Sequence, residues 1–121
     1  MKVLLIEDDK FLRTVLEKKL LNENIEVFSA VDGEEALEKL VSNKPDLILL
    51  DIILPKRSGF SILEEINKDP DLKQIPVLII SNLGQEEDIG KGLSLGAVEY
   101  FVKAKTSLED LIKKIKSYES K

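Results

Sequence analysis

Five short apolar runs, each separated from the next by a stretch of helical periodicity, constrain the fold of this chain more than any other feature. The runs are Val3–Ile6, Ile25–Phe28, Leu47–Leu50, Pro76–Ile80 and Val98–Val102. The third and fourth are continuously apolar, which is typical of strands buried on both faces of a parallel sheet. Ile25–Phe28 alternates apolar and polar residues, so this strand is predicted to lie near an edge of the sheet.

Apolar residues at helical spacing follow each of the five runs. The positions are Phe11, Leu12, Val15, Leu16 and Leu20, then Ala36, Leu37 and Leu40, then Phe60, Leu63 and Ile66, then Ile89, Leu93 and Leu95, and finally Leu108, Leu111, Ile112, Ile115 and Tyr118. Capping boxes that begin at Asp32 and Thr106 predict the starts of the second and fifth helices. Five strand–helix units joined by right-handed crossovers predict an α/β domain with one doubly wound parallel sheet.

The length and composition narrow the chemistry that the domain could carry out. The 121 residues fit a single domain over residues 1–121. The chain has no His and no Cys, which excludes His-dependent triads, thiol catalysis and zinc or iron–sulfur sites, and leaves oxygen-bound ions such as Mg²⁺. The net charge of −5 argues against nucleic-acid binding. The sequence contains no run of about 18 apolar residues, so no membrane-spanning segment is predicted. The lack of Cys is compatible with a cytoplasmic location.

Four of the five predicted strands end in a side chain that could carry chemistry. Glu7 and Asp8 follow the first strand, Asp51 follows the third, Ser81 the fourth and Lys103 the fifth. Ligands of open α/β sheets bind at the carboxyl ends of the strands, so these side chains are expected to meet at one edge. Neighbouring carboxylates repel one another and favour a divalent cation such as Mg²⁺. With a Lys to pair a phosphoryl oxygen, the set suits phosphoryl transfer, in which a carboxylate can itself be the acceptor.

Each of these residues also has an ordinary structural interpretation when it is taken alone. An acid after a strand commonly caps the next helix, as Asp8 or Asp9 could. Asp51 could be a solvated turn residue. The coincidence of such residues at successive strand ends is what favours a functional site.

Four segments in this order and spacing resemble the receiver domain of bacterial response regulators over essentially the whole chain. They are Val3–Asp9, Pro45–Pro55, Ile75–Ser81 and Leu95–Lys103. The resemblance implies a flavodoxin-like (βα)5 fold with the strand order 2-1-3-4-5, in a single-domain protein similar to the chemotaxis regulators. It also implies a cytoplasmic phosphoprotein of two-component or phosphorelay signalling, which is not an enzyme but assists its own phosphorylation and dephosphorylation.

The resemblance assigns a role to each acid. Asp51 would be the phosphoacceptor and a ligand of Mg²⁺. Asp8 would be the direct carboxylate ligand from the first strand, and Glu7 would act largely through water. The backbone carbonyl of Ile53 would be a further ligand, and Asp9 would start the first helix.

The resemblance also assigns roles to three residues on the fourth and fifth strands. Ser81 would bond a phosphoryl oxygen after transfer, and Lys103 would pair with it. Tyr100 would be an aromatic switch that turns inward when Ser81 moves, although an edge-strand aromatic half packed on the sheet is also a plausible interpretation of Tyr100.

The implied partners follow from the same resemblance. The phosphodonor would be a phosphohistidine on a sensor histidine kinase or a histidine phosphotransfer protein, and this chain has no His with which to be its own donor. Output would be a change in the surface of the fourth and fifth strands and helices. A downstream protein or a second copy, in a phosphorylation-dependent homodimer, would bind that surface. Neither a nucleic acid nor a membrane is an expected partner.

Two positions depart from the usual pattern of the family beside the strand ends. Ala104 follows Lys103, where a Pro with a cis bond is usual. Because a cis bond before a residue other than Pro costs about 2.5–4 kcal/mol, this bond is expected to be trans with a shifted loop, or cis and held by packing. Asn82 follows Ser81, where a small residue is usual, and could cover part of the pocket or bond the phosphoryl group.

A third departure concerns the lifetime of the phosphorylated state. Ile53 and Leu83 lie two positions after the proposed acceptor and the proposed hydroxyl donor, at family positions that influence how water reaches the acyl phosphate. Both are apolar and cannot orient a hydrolytic water. Slow self-dephosphorylation is therefore predicted.

Three functions other than that of a receiver domain are alternatives for this sequence. A haloacid-dehalogenase-like phosphatase would need a second acid where Ile53 stands. A flavin or dinucleotide module is disfavoured because Gly90 and Gly92 fall in the predicted fourth helix rather than after the first strand. Within that helix each glycine costs about 1 kcal/mol relative to Ala, so the fourth helix is predicted to be labile. The most serious alternative is a receiver-like protein-interaction module that acts without phosphorylation, which Ala104 and Asn82 leave open.

Overall fold

Strands and helices alternate along the whole of residues 1–119, which are the residues that the computed structural model describes. The strands are β1 (Lys2–Ile6), β2 (Glu26–Ala30), β3 (Leu47–Leu50), β4 (Val77–Ser81) and β5 (Glu99–Val102), and the helices are α1 (Lys10–Asn22), α2 (Gly33–Ser42), α3 (Gly59–Lys68), α4 (Glu86–Ser94) and α5 (Leu108–Lys116). All strand pairs are parallel, in the order β2-β1-β3-β4-β5. The predicted α/β class and the strand order implied by the resemblance are confirmed. Among the helices within this range, none has the length and apolar character needed to cross a membrane.

Two apolar layers cover the sheet, one on each face. Leu4 and Ile6 of β1 pack with α2 and α3 on one face, and Val3 and Leu5 pack with α1 and α5 on the other. Strands β3 and β4 are buried at every position, as expected for central strands covered by helices on both sides. Strands β2 and β5 form the edges and are only partly buried, so the edge position predicted for Ile25–Phe28 is confirmed.

Side-chain caps fix where the helices begin, and in one case they correct the prediction. Asp32 caps α2 as expected, by accepting a hydrogen bond from the amide of Glu35 at 2.9 Å. Helix α5 is capped by Ser107 and not by Thr106, the residue at which the capping box was predicted to begin. The hydroxyl of Thr106 instead donates to the carbonyl of Val102, at 2.9 Å.

The apolar face predicted for α1 is correct in its middle and wrong at its start. Leu16 and Leu20 are fully buried, whereas the Phe11 side chain is 79% exposed. Phe11 lies in the first turn of α1, directly after the loop that leaves β1, where helical spacing alone does not secure contact with the sheet.

Candidate functional site

Three carboxylates meet at the carboxyl edge of the sheet, between β1 and β3. Glu7 is fully buried, Asp51 is 3% exposed and Asp8 is exposed. One carboxylate oxygen from each lies within 4.8 Å of the other two. Because like charges this close repel one another, the cluster favours a divalent cation with oxygen ligands.

Backbone pairing continues past the strand ends and fixes the positions of the two buried acids. The amide of Glu7 donates to the carbonyl of Ala30 at 3.0 Å, and the amide of Asp51 donates to the carbonyl of Ile6 at 3.0 Å. The strand ladder therefore carries both residues to the edge of the sheet in a fixed register.

Lys103 places one positive charge against both buried acids. Its Nζ donates to Asp51 Oδ2 at 2.9 Å and lies 3.1 Å from Glu7 Oε1, and its side chain is only 17% exposed. The contact with Glu7 is an ion pair without hydrogen-bond geometry, so Glu7 Oε1 is a buried oxygen without a hydrogen-bond donor among residues 1–119. This oxygen could accept a hydrogen bond from a water of a hydrated cation, and two further carboxylates lie beside it, so the donor set fits Mg²⁺.

Burial and charge change the protonation of this cluster. Burial raises the pKa of the Glu7 carboxyl to about 7, and the charge of Asp51 adds to the rise. Burial disfavours the charged form of Lys103, but bonding to Asp51 and Glu7 outweighs it, so the pKa of Lys103 is raised. Without a metal, Glu7 is therefore partly protonated near neutral pH while Lys103 stays charged.

Asp9, which follows β1, and Ile53, which follows β3, each make a defined hydrogen bond between a side chain and a backbone amide. Asp9 caps α1 by accepting from the amides of Phe11 and Leu12 at 3.0 and 3.2 Å, as expected for a helix-start residue. The amide of Ile53 donates to Asp51 Oδ1 at 3.2 Å. Ile53 therefore orients the Asp51 carboxylate through its N–H, and the carbonyl predicted as a metal ligand remains a prediction.

Ser81 and Tyr100 lie on the neighbouring strands. Ser81 is the last residue of β4 and is fully buried, and its hydroxyl accepts from the amide of Leu83 at 3.3 Å. The Tyr100 hydroxyl donates to the carbonyl of Leu83 at 2.6 Å. The loop after β4 thus connects the two predicted switch residues, and Tyr100 reaches it from a half-buried position.

Gly92 of α4 allows this position of Tyr100. A Cβ added at Gly92 would lie 2.7 Å from Ile79 Cδ1 and 2.9 Å from Tyr100 Cδ2, closer than real Cβ atoms approach. The sequence indicated only that Gly92 weakens the helix. The structure shows that its missing side chain lets α4 pack against the Tyr100 ring.

The two glycines of α4 are therefore expected to respond oppositely to alanine. Gly90→Ala is expected to raise the free energy of unfolding by roughly 0.5–1 kcal/mol, because open space surrounds the added methyl and Ala favours the helix. Gly92→Ala is expected to lower it by roughly 1–3 kcal/mol, because the methyl overpacks against Ile79 and Tyr100. Urea unfolding of both variants measures the difference, and a Gly92→Ala protein as stable as Gly90→Ala would contradict this packing.

The structure describes the two positions beside the strand ends that depart from the family pattern. Every peptide bond within residues 1–119, including the one between Lys103 and Ala104, is trans, so the first of the two alternatives for this bond holds. The chain continues as a short 3-10 helix at Lys103–Lys105. Asn82 directly follows β4 and is exposed, and its part in covering the pocket or bonding the phosphoryl group remains a prediction.

Gly59, which the sequence pattern did not single out, packs against the backbone of the proposed acceptor. Its amide donates to the carbonyl of Ile52 at 2.7 Å. An added Cβ would lie 2.3 Å from the carbonyl oxygen of Asp51 and 2.7 Å from Ile52 Cα. The available signal was a glycine directly after the helix N-cap Ser58, a position where the helix itself does not favour glycine.

Comparison with known proteins gives consistent matches over the same strands. The family description "Response regulator receiver domain" matches residues 3–116. The probable transcriptional regulator ycf27 of Guillardia theta is 40% identical over 102 residues, which cover 84% of this chain and 39% of that protein. The chain spans 39–41% of the length of this and three other ycf27 relatives.

Solved structures agree with the sequence matches. The phosphorylated cyanobacterial phytochrome response regulator RcpA has a TM-score of 0.86 at 35% identity, covering 97% of this chain and 91% of that one. The Mn²⁺-bound form of the response regulator Rcp1 has a TM-score of 0.84 at 33% identity, covering 98% and 91%. These likenesses extend over the strands that carry the acidic cluster and Lys103.

Proposed function

The chain belongs to the response regulator receiver family of two-component signalling, and we propose that Asp51 accepts a phosphoryl group from a phosphohistidine of a partner protein. One observation carries this proposal. The buried carboxylate of Asp51 lies within 4.8 Å of carboxylate oxygens of Glu7 and Asp8 and 2.9 Å from the ammonium of Lys103. The partner would be a sensor histidine kinase or a histidine phosphotransfer protein.

The transfer is a substitution at phosphorus. A carboxylate oxygen of Asp51 forms a new O–P bond while the N–P bond of the phosphohistidine breaks, and the imidazole leaves with the electron pair and takes up a proton. The amide of Ile53 and the ammonium of Lys103 hold the two Asp51 oxygens and so orient the nucleophile. Lys103 can then pair with a phosphoryl oxygen, and Ser81 at the end of β4 can donate its hydroxyl to another.

A Mg²⁺ ion bound by this cluster would neutralise negative charge that gathers on the phosphoryl oxygens. Asp8, Asp51 and the carbonyl of Ile53 would hold it directly, and Glu7 would act through a bound water. Two observations support this assignment: the buried Glu7 Oε1, for which residues 1–119 supply no hydrogen-bond donor, and the Mn²⁺-bound form of the related Rcp1.

Output follows from the link between Ser81 and Tyr100. A phosphoryl group that draws the Ser81 hydroxyl away would break its bond with the Leu83 amide and alter the loop that Tyr100 holds. The surface of α4, β5 and α5 would change and be bound by a downstream protein or by a second copy in a homodimer. Residues 1–121 would act as one domain in the cytoplasm, where such partners meet.

Labelling with a small acyl phosphate tests the proposal. Incubation with acetyl phosphate and Mg²⁺ is expected to add one phosphoryl group by mass, and a chelator is expected to prevent it. Hydroxylamine is expected to remove the label, since it cleaves acyl phosphates and leaves phosphoserine intact. A protein that binds Mg²⁺ and takes no label would favour the alternative of an interaction module that acts without phosphorylation.

The affinity for Mg²⁺ is expected to rise about tenfold from about pH 6 to about pH 8. The pKa of Glu7 is raised to about 7 by burial and by Asp51, against the opposing effects of the Asp9 amide and Lys103. A raised pKa means that the metal-free site holds a proton below neutral pH, so a cation must displace it and binds more weakly in acid. Titration calorimetry at several pH values measures the change. Glu7→Gln is expected to abolish most of it, and a pH-independent affinity in wild type would contradict the prediction.

The phosphorylated protein is expected to lose its phosphoryl group slowly. The Ile53 side chain is 54% exposed beside Asp51, and Leu83 packs against the apolar core. Neither side chain can hold an attacking water. We expect Ile53→Asn to shorten the half-life of the label and Val41→Asn, an 85% exposed control on α2, to leave it unchanged. A wild-type half-life as short as that of rapidly adapting chemotaxis regulators would contradict the prediction.

A further inference from the structure

We propose that Arg13 is a positioning residue for the acidic pair that follows β1, and that it is needed for full Mg²⁺ affinity. This inference rests on the proposed function. Arg13 is half-buried in the first two turns of α1. Its Nη1 donates to the carbonyl of Glu7 at 3.1 Å and lies 3.4 Å from the carbonyl of Asp8, in hydrogen-bond geometry. The guanidinium thus holds the backbone of both acids rather than their carboxylates.

The contact with Asp8 reaches the Glu7 carboxylate through a single peptide unit. The carbonyl of Asp8 and the N–H of Asp9 belong to the same planar trans peptide, so they point in opposite directions. That N–H donates to Glu7 Oε2 at 3.0 Å. Arg13 and the Glu7 carboxylate therefore hold the two ends of one peptide plane, and the orientation of the plane aims the N–H.

The position of Glu7 Oε2 determines what its other oxygen faces. With Oε2 held by the Asp9 amide, Oε1 lies 3.1 Å from the ammonium of Lys103 and has no hydrogen-bond donor within residues 1–119. This is the oxygen that would face a hydrated cation. A peptide plane free to rotate would release Oε2, and the Glu7 carboxylate would lose the orientation on which the site depends.

The sign of the effect separates positioning from charge. A guanidinium close to a cation site repels the cation, so an Arg13 that acted by charge alone would weaken Mg²⁺ binding and its removal would tighten it. An Arg13 that positions the turn has the opposite effect, and its removal weakens binding. Residues that orient metal ligands typically contribute about 10-fold or more to affinity.

Three variants of the full chain, with Mg²⁺ itself as the probe, test the proposal. Arg13→Met keeps the length of the side chain and removes its donors, and it is expected to raise the Mg²⁺ dissociation constant about tenfold. Arg13→Lys keeps the charge but has no fork of donors, and it is expected to fall between Arg13→Met and wild type. Arg57→Met is the matched control, since Arg57, the other arginine of the chain, bonds Ser61 and Glu65 of α3. Its affinity is expected to equal that of wild type.

A readout on the metal-free protein distinguishes positioning from a general loss of stability. Hydrogen exchange of the Asp9 amide is expected to accelerate in Arg13→Met under conditions where core amides of β3 stay protected. Arg13→Lys carries the test if Arg13→Met does not fold. Unchanged or tighter Mg²⁺ binding by the folded Arg13 variants would overturn the inference, as would an unchanged Asp9 amide. Failure of wild type to bind Mg²⁺ would instead overturn the proposed function and the inference with it.

Discussion

Asp51→Asn is expected to take no phosphoryl group from acetyl phosphate and, without a divalent cation, to be more stable than wild type. The first effect follows because an amide is not a nucleophile toward phosphorus. The second follows because Asp51 stands beside buried Glu7, whose pKa is raised first by burial and then by the negative charge of Asp51. Removing the negative charge of Asp51 from this cluster is expected to raise the free energy of unfolding by roughly 1–2 kcal/mol. The Asn side-chain oxygen can still accept from Lys103.

Mass measurement after labelling and urea unfolding in a chelator measure the two effects. Asp46→Asn is the matched control, because Asp46 precedes β3 at the opposite edge of the sheet, where it accepts from the amide of Lys2. Its labelling is expected to equal that of wild type. A labelled Asp51→Asn protein would identify another acceptor and overturn the assignment. An Asp51→Asn protein less stable than wild type would show that the bond between Asp51 and Lys103 outweighs the repulsion between Asp51 and the other two carboxylates.

The loss of labelling and the gain in stability expected for Asp51→Asn have one physical origin, the charge of the site. Glu7, Asp8 and Asp51 bring three carboxylates together, and Lys103 supplies one positive charge. The excess of negative charge costs stability in the metal-free protein, and a divalent cation relieves it. The same repulsion would therefore favour binding of the cation on which the proposed phosphoryl transfer depends.

The fold could be predicted because its signals are local. The continuous apolar runs of β3 and β4 can bury both faces only at the centre of a sheet that helices cover on both sides. The alternating run of β2 has one polar face and therefore belongs at an edge. Strand ends then indicate which polar residues meet, because parallel strands bring their carboxyl ends to one side. The strand order came from the family resemblance, since apolar periodicity does not determine which strands are neighbours.

Details that depend on contacts between different structural elements could not be read from the sequence. The bond from Arg13 to the turn after β1, the approach of Gly59 to the Asp51 backbone and the packing of Gly92 on Tyr100 all join residues from different elements. Local spacing also misled in two places. Phe11 has the spacing of a core residue yet is exposed, and Thr106 has a capping pattern yet bonds Val102 instead of starting α5.

Gly59→Ala is expected to lower the free energy of unfolding by roughly 2–4 kcal/mol and to weaken Mg²⁺ binding. The added methyl would lie 2.3 Å from the carbonyl oxygen of Asp51 and 2.7 Å from Ile52 Cα. Both are backbone atoms that cannot rotate away as a side chain can, so the loop after β3 must shift. That shift moves Asp51, the proposed acceptor, relative to Glu7 and Asp8.

Ser58→Ala separates the loss of geometry from a general weakening of α3. Ser58 caps α3 through the amide of Ser61, at 3.3 Å, so its loss is expected to cost about 1 kcal/mol without moving Asp51. Calorimetry with Mg²⁺ under conditions where all the proteins are folded makes the comparison. Weaker binding by Gly59→Ala with normal binding by Ser58→Ala is the expected result. Equal binding by both variants would mean that the close approach of Gly59 serves the packing of the loop and not the geometry of the site.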